Sequence, residues 1–299
     1  MNKIIRFLKD PIFRYDILTS HNLLFWKSDE QILKDKYYFR FHKPLNLDNP
    51  QTYNEKLQWL KLHDRRSEYT EMVDKYLAKS YVRERIGDEY IIPTLGVWDK
   101  FEDIDFDKLP NTFVLKCTHD SGGLVICKDK RLFDYNAAKV KIKKCLRRNY
   151  FYVGREWPYK NVKPRIIAET YMEDKIFNEL RDYKFFCFNG SVKMLFVATN
   201  RQSTTEETKF DFFDSEFNHL NITNGHDCNS IDVIKPINFE LMKSLAEKLS
   251  IGIPHLRVDF YEVDGKPYFG ELTFFHWSGL VPFNPPEWDY TLGSWIKLP

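Results

Sequence analysis

The chain has 299 residues, 43% of them hydrophobic, with 45 Lys and Arg against 43 Asp and Glu. That length and apolar content suffice for one large domain or two closely packed ones, and exclude a disordered or fibrous chain. The near cancellation of charge leaves no overall footprint of a nucleic-acid binder, so a charged ligand must be met by a local cluster.

The N-terminal run MNKIIRFLKDPIFRYDILTSHNLLFW is apolar throughout but broken by Arg6, Lys9, Asp10, Pro11, Arg14 and Asp16. It offers neither a signal h-region nor a spanning helix, so a cytoplasmic protein is expected. An amphipathic element here could lie on a membrane surface, yet packing against the body of the protein is the expected use. The five cysteines (117, 127, 145, 187 and 228) form no CxxC pair, which speaks against a disulfide framework and a zinc ribbon and for reduced thiols.

From Thr70 to Ile86 the apolar residues Met72, Val73, Tyr76, Leu77 and Tyr81 recur at helical spacing, with Gly87 as a C-terminal stop, which predicts one helix. EYIIPTLGVWD and NTFVLKC then read as strands. His119, Asp120 and Ser121 lead into Gly122 and Gly123 before LVIC, which predicts an antiparallel pair joined by a Gly-containing loop. Residues 136–148 read as a helix with a basic face, and RIIAETYM as a strand. Asn189-Gly190 and Asp264-Gly265 each mark a hairpin turn, between KFFCF and VKMLFVAT and between RVDFYEV and PYFGELTFF. Phe239 to Leu249 is an amphipathic helix between them. The order of elements is α+β, with a lead-in region over residues 1–69, a central lobe over 70–165 and a C-terminal lobe over 166–299.

Four stretches carry candidate chemistry. In FVLKCTHDSGG, Lys116 ends a strand and a Gly loop follows, so a compact cation and exposed backbone N–H groups are available to phosphate; a plain hairpin with a solvated Lys is the alternative. In RVDFYEVDGKPYFGELTFF, Asp259 and Glu271 come close across the hairpin, where a Mg²⁺ ion would relieve their repulsion, unless both simply face solvent beside Arg257 or Lys266. IIAETYMED delivers Glu169, Tyr171, Glu173 and Asp174 to a strand end, where carboxylates could accept from a ribose or an adenine amino group; a plain edge strand with acidic gatekeepers is the alternative. In LRDYKFFCFNG, Asp182 and Lys184 share one strand face. The histidines 119, 255 and 276 fit no zinc spacing, and His119 beside the Gly loop is a phosphate or substrate contact or a plain loop residue.

In this order the four stretches, together with TYNEKLQWLKLHDR and Lys75 after it, resemble the TupA-like group of the ATP-grasp superfamily, from about Asn49 to Trp277. The resemblance implies two α+β lobes clamping ATP. Lys116 and Lys75 or Lys184 would stand near the phosphates, Ser121, Gly122 and Gly123 would form the closing loop, and Glu169, Tyr171, Asp174 and Asp182 would lie around the nucleotide. Asp259 and Glu271 would hold Mg²⁺; Lys116, His119 and Arg257 would be the catalytic contacts. Where many ATP-grasp enzymes carry Asn two residues after the Glu, this chain has Thr273, a weaker ligand that leaves the number of metal ions open.

The implied reaction is phosphorylation of a carboxylate to an acyl phosphate and capture by an amine, with no nucleophilic Ser or Cys. By family analogy the substrates are an acidic saccharide, such as a uronic acid of a surface polysaccharide, and an amine, with the protein at the inner membrane face beside membrane-bound polysaccharide machinery. The basic helix and HWSGLVPFNPPEW are candidate acceptor contacts or, equally, a solvated face and a Pro-rich tail. A glycosyltransferase using the DFD run at 105–107, and a noncatalytic glycan-binding protein that has lost the chemistry, are the alternatives.

Overall fold

The computed structural model describes residues 3–175, 179–201, 205–229 and 233–299. Six helices come first: α1 (Lys3–Lys9), α2 (Pro11–Ser20), α3 (Asp29–Phe41), α4 (Tyr53–His63), α5 (Glu68–Val73) and α6 (Ala78–Ile86). Ser28 with Gln31 and Thr52 with Glu55 form capping boxes at α3 and α4, satisfying N–H groups that would otherwise lack partners.

The single helix expected over residues 70–86 is two. Asp74 is extended, and its Oδ1 accepts from the N–H groups of Tyr76 and Leu77, so a side chain replaces the backbone ladder and starts a new helix. Lys75, expected inside a helix, therefore sits in the turn between α5 and α6, where its backbone N–H donates to Thr118 O at 3.0 Å.

Strands β1 (Thr94–Trp98), β2 (Phe113–Cys117), β3 (Leu124–Cys127) and β4 (Ile166–Thr170) form one antiparallel sheet in the order β1-β4-β2-β3. Helices α7 (Tyr135–Leu146) and α8 (Phe151–Gly154) fall between β3 and β4. One face of this sheet, Phe113, Leu115, Cys117, Ile166 and Ala168, is sealed with Ala138, Ile142 and Cys145 of α7 into its own core. Strand pairing therefore puts β4 with the central strands, on the other side of a division drawn at residue 166.

The second sheet is also antiparallel: β5 (Asp182–Phe188), β6 (Ser191–Thr199), β7 (Lys209–Asp214), β8 (His219–Leu220), β9 (Leu256–Val263) and β10 (Lys266–Thr273), in the order β10-β9-β5-β6-β7-β8. Asn189-Gly190 and Asp264-Gly265 make the two expected turns, all four residues having the positive φ that a two-residue hairpin with the right twist requires. Helix α9 (Phe239–Leu249) covers one face through Phe239, Met242 and Leu245. Residues of α4, α5 and α6 join the same core, so the lead-in region is packed onto the C-terminal sheet.

Strands β7 and β8 carry no turn dipeptide of the kind that marks the other hairpins, and sequence reading passes them over. The expected C-terminal tail also folds: Pro286 precedes α10 (Glu287–Trp295), a favoured place for proline, and Asp289 of this helix accepts from Asn54 N and Nδ2, both at 2.9 Å.

Candidate functional site

The alternation of β2 sends Val114 and Lys116 to the face opposite the α7 core, and the register sets Lys116 beside Ile167 and Val114 beside Glu169. Lys116 is then diagonal to Glu169 and its Nζ lies 2.6 Å from Oε2, while Lys79 from α6 holds Oε1 at 2.5 Å. Burial would raise the Glu169 carboxyl, but Lys116 and Lys79 outweigh it and hold it below the ordinary range.

Between β2 and β3 the chain turns through Asp120, Ser121, Gly122 and Gly123. A Cβ on Gly123 would stand 3.0 Å from Cys117 Cβ and 3.2 Å from Cys145 Cβ, so a larger residue would press the loop against α7. Lys75 Nζ donates to Asp120 O at 3.0 Å and ties the α5–α6 turn to the loop.

On the second sheet, Lys184 of β5, Asp259 of β9 and Glu271 of β10 stand in one row across three strands. A regular two-residue hairpin would put Gly270 opposite Asp259. A bulge between Phe269 and Glu271 brings Glu271 there instead. Asp259 is fully buried: Arg257 Nε and Nη2 donate to its two oxygens at 2.8 Å, and Lys184 Nζ donates to Oδ2 at very short range. Arg257 Nη2 also reaches Glu271 Oε1 at 3.2 Å and Thr273 Oγ1 at 3.1 Å.

The two sheets face each other across a cleft of about 350 Å³. Its lining includes Lys75, Lys116, Asp120, Ser121, Gly122, Gly123, Glu169, Tyr171, Arg201 and Glu271, with the apolar side chains of Ile92, Val114, Leu124, Ile126, Met172 and Leu180. The Glu271 side chain is 40% exposed. Burial pushes its carboxyl up, but Lys75, Lys184, Arg257 and Arg201 together bring it down to about 2. For Lys184 burial wins over Asp259 and lowers the ammonium below the usual lysine range.

Eight expected residues thus meet in the cleft: Lys75, Lys116, Ser121, Gly122, Gly123, Glu169, Tyr171 and Glu271. Arg257, Asp259, Lys184, Asp182 and Thr273 stand behind Glu271 rather than in the lining. His119 is not brought there: it is buried, and its Nε2 meets Cys145 O at 3.2 Å. Asp174 is buried away from the lining. Sequence reading missed Arg201, which pairs with Asp182; a basic residue just past the end of β6, reached by counting forward from the Asn189-Gly190 turn, was the available signal.

Among the described residues no group of three or more His, Cys, Asp and Glu side chains gathers as a metal site. The donor chemistry nevertheless suits Mg²⁺ at Glu271, a carboxylate open to the cleft, since Mg²⁺ commonly takes one or two carboxylates and completes its shell from phosphates and water; both oxygens of Asp259 behind it accept from Arg257 or Lys184.

The candidate acceptor contacts divide. Lys139 and Lys143 of α7 are engaged with Glu102, at 2.9 and 2.6 Å. Trp277 and Ser278 hold left-handed backbone at φ 48° and 57°. His276 Nδ1 meets Arg257 Nη1 at 2.7 Å, which links this strained turn to the carboxylate row.

An antiparallel two-sheet clamp with a Gly loop on one sheet and a carboxylate hairpin on the other is the ATP-grasp fold. Within it, this chain belongs to the TupA-like ATP-grasp family, whose sequence model, described as TupA-like ATPgrasp, matches residues 55–297. No curated protein sequence matches the chain. Among solved structures it is similar to the D-alanine–D-alanine ligase of Bacillus anthracis complexed with ATP, at 18% identity and a TM-score of 0.41 over 68% of this chain and 55% of that one. The D-alanine–D-alanine ligase of Helicobacter pylori is similar at 12% and 0.45, over 82% and 65%. The L-amino acid ligase of Bacillus licheniformis is similar at 13% and 0.48, over 85% and 57%. The chain thus spans between about half and two thirds of the length of these ligases.

Proposed function

We propose that this protein is an ATP-dependent carboxylate–amine ligase, working in the cytoplasm, that activates its acid as an acyl phosphate. The observation that carries the reading is the cleft lining, where Lys75, Lys116 and Arg201 meet the Ser121–Gly123 loop and Glu271. Cations and a glycine loop in one cleft suit a polyphosphate, and the apolar walls beside them suit a base.

In this reading the backbone of Ser121–Gly123 and the Lys116 and Lys75 ammonium groups hold the phosphates, with Lys116 steered by Glu169. Tyr171 and the apolar walls hold the base and ribose. Glu271 and Asp259, with Thr273 beside them, would hold Mg²⁺, which neutralises charge on the phosphates. Arg257, behind Glu271, would act on the acid through the Glu271 and Asp259 carboxylates it holds, as the acid's oxygen attacks the γ-phosphorus and ADP leaves. An amine then attacks the acyl carbon and phosphate departs. Positioning and charge account for such a reaction without a protein nucleophile.

By family analogy the acid is a uronic-acid carboxylate of a surface polysaccharide and the amine an amino acid. The glycosyltransferase reading gains nothing from the DFD run: Asp105 caps its own short turn and pairs with Lys108 at 3.0 Å, outside the cleft lining.

Incubation with ATP, Mg²⁺, uronate-containing oligosaccharides and amino acids, read by mass spectrometry, should give ADP, phosphate and an amide adduct. Glu271→Ala should lower turnover by about 100-fold or more, the scale of losing a charge-stabilising group, in protein that circular dichroism shows still folded at the assay temperature. Consumption of a sugar nucleotide without ADP, or full turnover in the Ala variant, defeats the proposal.

A further inference from the structure

The family match starts at residue 55 and leaves α1, α2 and α3 outside it. Of these, α2 packs as expected of the N-terminal segment. It rests on α8, Asp16 accepts from Lys36 and Arg40 at 2.6 Å each, and Tyr15 donates to Asp35 at 2.5 Å.

Helix α1 does not follow it: none of its residues is buried. Ile4 is 69% exposed and Leu8 67%. At about 100° per residue, Phe7, Ile4, Leu8 and Ile5 fall on one arc of the helix, and Lys9, Arg6 and Lys3 fill the other. The polar arc is entirely basic. Among the described residues Lys3 and Lys9 have no acid partner; Arg6 pairs with Asp10 at 3.4 Å.

The helix is also held in a fixed pose. Arg14 Nη1 donates to Leu8 O at 3.1 Å, and the Arg6 guanidinium lies 4.4 Å from the Phe13 ring centre. Just beyond the far end of α2, Phe25 is 76% exposed and Trp26 65%, ring edge against ring face.

We propose that α1, with the Phe25–Trp26 turn, docks this protein on an anionic phospholipid surface. Apolar side chains enter the headgroup boundary while Lys3 and Lys9 at the margins of the apolar arc meet lipid phosphates, and exposed aromatic residues suit that boundary. Charge selects this occupant: Lys3 and Lys9 flank the apolar arc on its two margins, so a second copy seated on that arc would bring like charges together along the seam, whereas an anionic bilayer complements them.

The test is flotation of the full chain with vesicles of phosphatidylcholine alone and of an equal mixture with phosphatidylglycerol. Binding to the mixed vesicles should be about tenfold stronger and should fade with salt. Ile4→Glu with Leu8→Glu should lower it about tenfold or more with melting unchanged, since neither side chain has core contacts, and Phe25→Ser with Trp26→Ser should weaken it independently. The proposal falls if mixed vesicles are not bound, if phosphatidylcholine binds as well, or if the Glu pair binds like the parent. It falls equally if the chain dimerises without lipid and the Glu pair abolishes the dimer, which would give this face to a second copy.

Discussion

Glu169 shows how far a residue's type alone can mislead about its work. Read as a strand-end carboxylate, it is expected at a ribose or an adenine; in the fold both its oxygens are taken, by Lys79 and Lys116, and its side chain is almost wholly buried. Its nearest effect is to fix Lys116 beside it on one face of the same sheet. Because two cations hold the folded carboxyl below its unfolded value, about 4.3, the stabilisation is complete above that pH and is lost as the pH falls through the lowered folded value. Glu169→Gln leaves the buried Lys79 and the half-buried Lys116 ammonium groups without their anion and should cost about 3 kcal/mol near neutrality. Melting temperature followed from pH 7 downward should drop more steeply below about pH 4.3 in the parent than in the Gln variant; equal slopes would remove Glu169 from the acid response. His119 is the counterpart: burial lowers its pKa, and its place behind the loop withdraws it from the chemistry expected of it.

At the scale of elements, the β9–β10 hairpin was legible because Asp-Gly between alternating runs fixes both the turn and its register. The bulge was not, since it depends on what lies beside Gly270. A Cβ there would meet Asp259 O at 3.1 Å and the Tyr261 ring at 3.2 Å, so glycine gives the strands their closest approach. Gly270→Ala should therefore cost about 1–3 kcal/mol and move Glu271 out of line with Asp259 and Lys184. Turnover should fall by more than the loss of folded protein explains; full specific activity in the remaining folded fraction would show that the bulge does not position Glu271. The helix expected over residues 70–86 failed for a related reason. Hydrophobic period runs through Asp74 undisturbed, while the side chain of Asp74, held by Arg165 at 2.9 Å, ends the helix by bonding to the next turn.

For the whole molecule, the cleft lies between sheets that come from separate stretches of chain, so a ligand held by both adds to the folded state and not to the unfolded one. ATP with Mg²⁺ at about a hundred times its Kd should stabilise the fold by about 2.7 kcal/mol, visible as a raised melting temperature, and ATP with chelator by less. No shift with either would place the nucleotide elsewhere or nowhere.

The sequence by itself determined the α+β order, both hairpins, the Gly loop and the family, because turn chemistry and strand alternation are local and the motifs are contiguous. Only the tertiary structure decided that Arg201 joins the cleft and His119 leaves it, that Asp259 is clamped by Arg257 and Lys184, that β4 pairs with the central strands and that α10 closes on Asn54. It also decided that the apolar arc of α1 stays uncovered. Each of these depends on which distant surfaces meet: pairing partners, buried charges and exposed faces follow from contacts between residues far apart in the chain, which local spacing does not record.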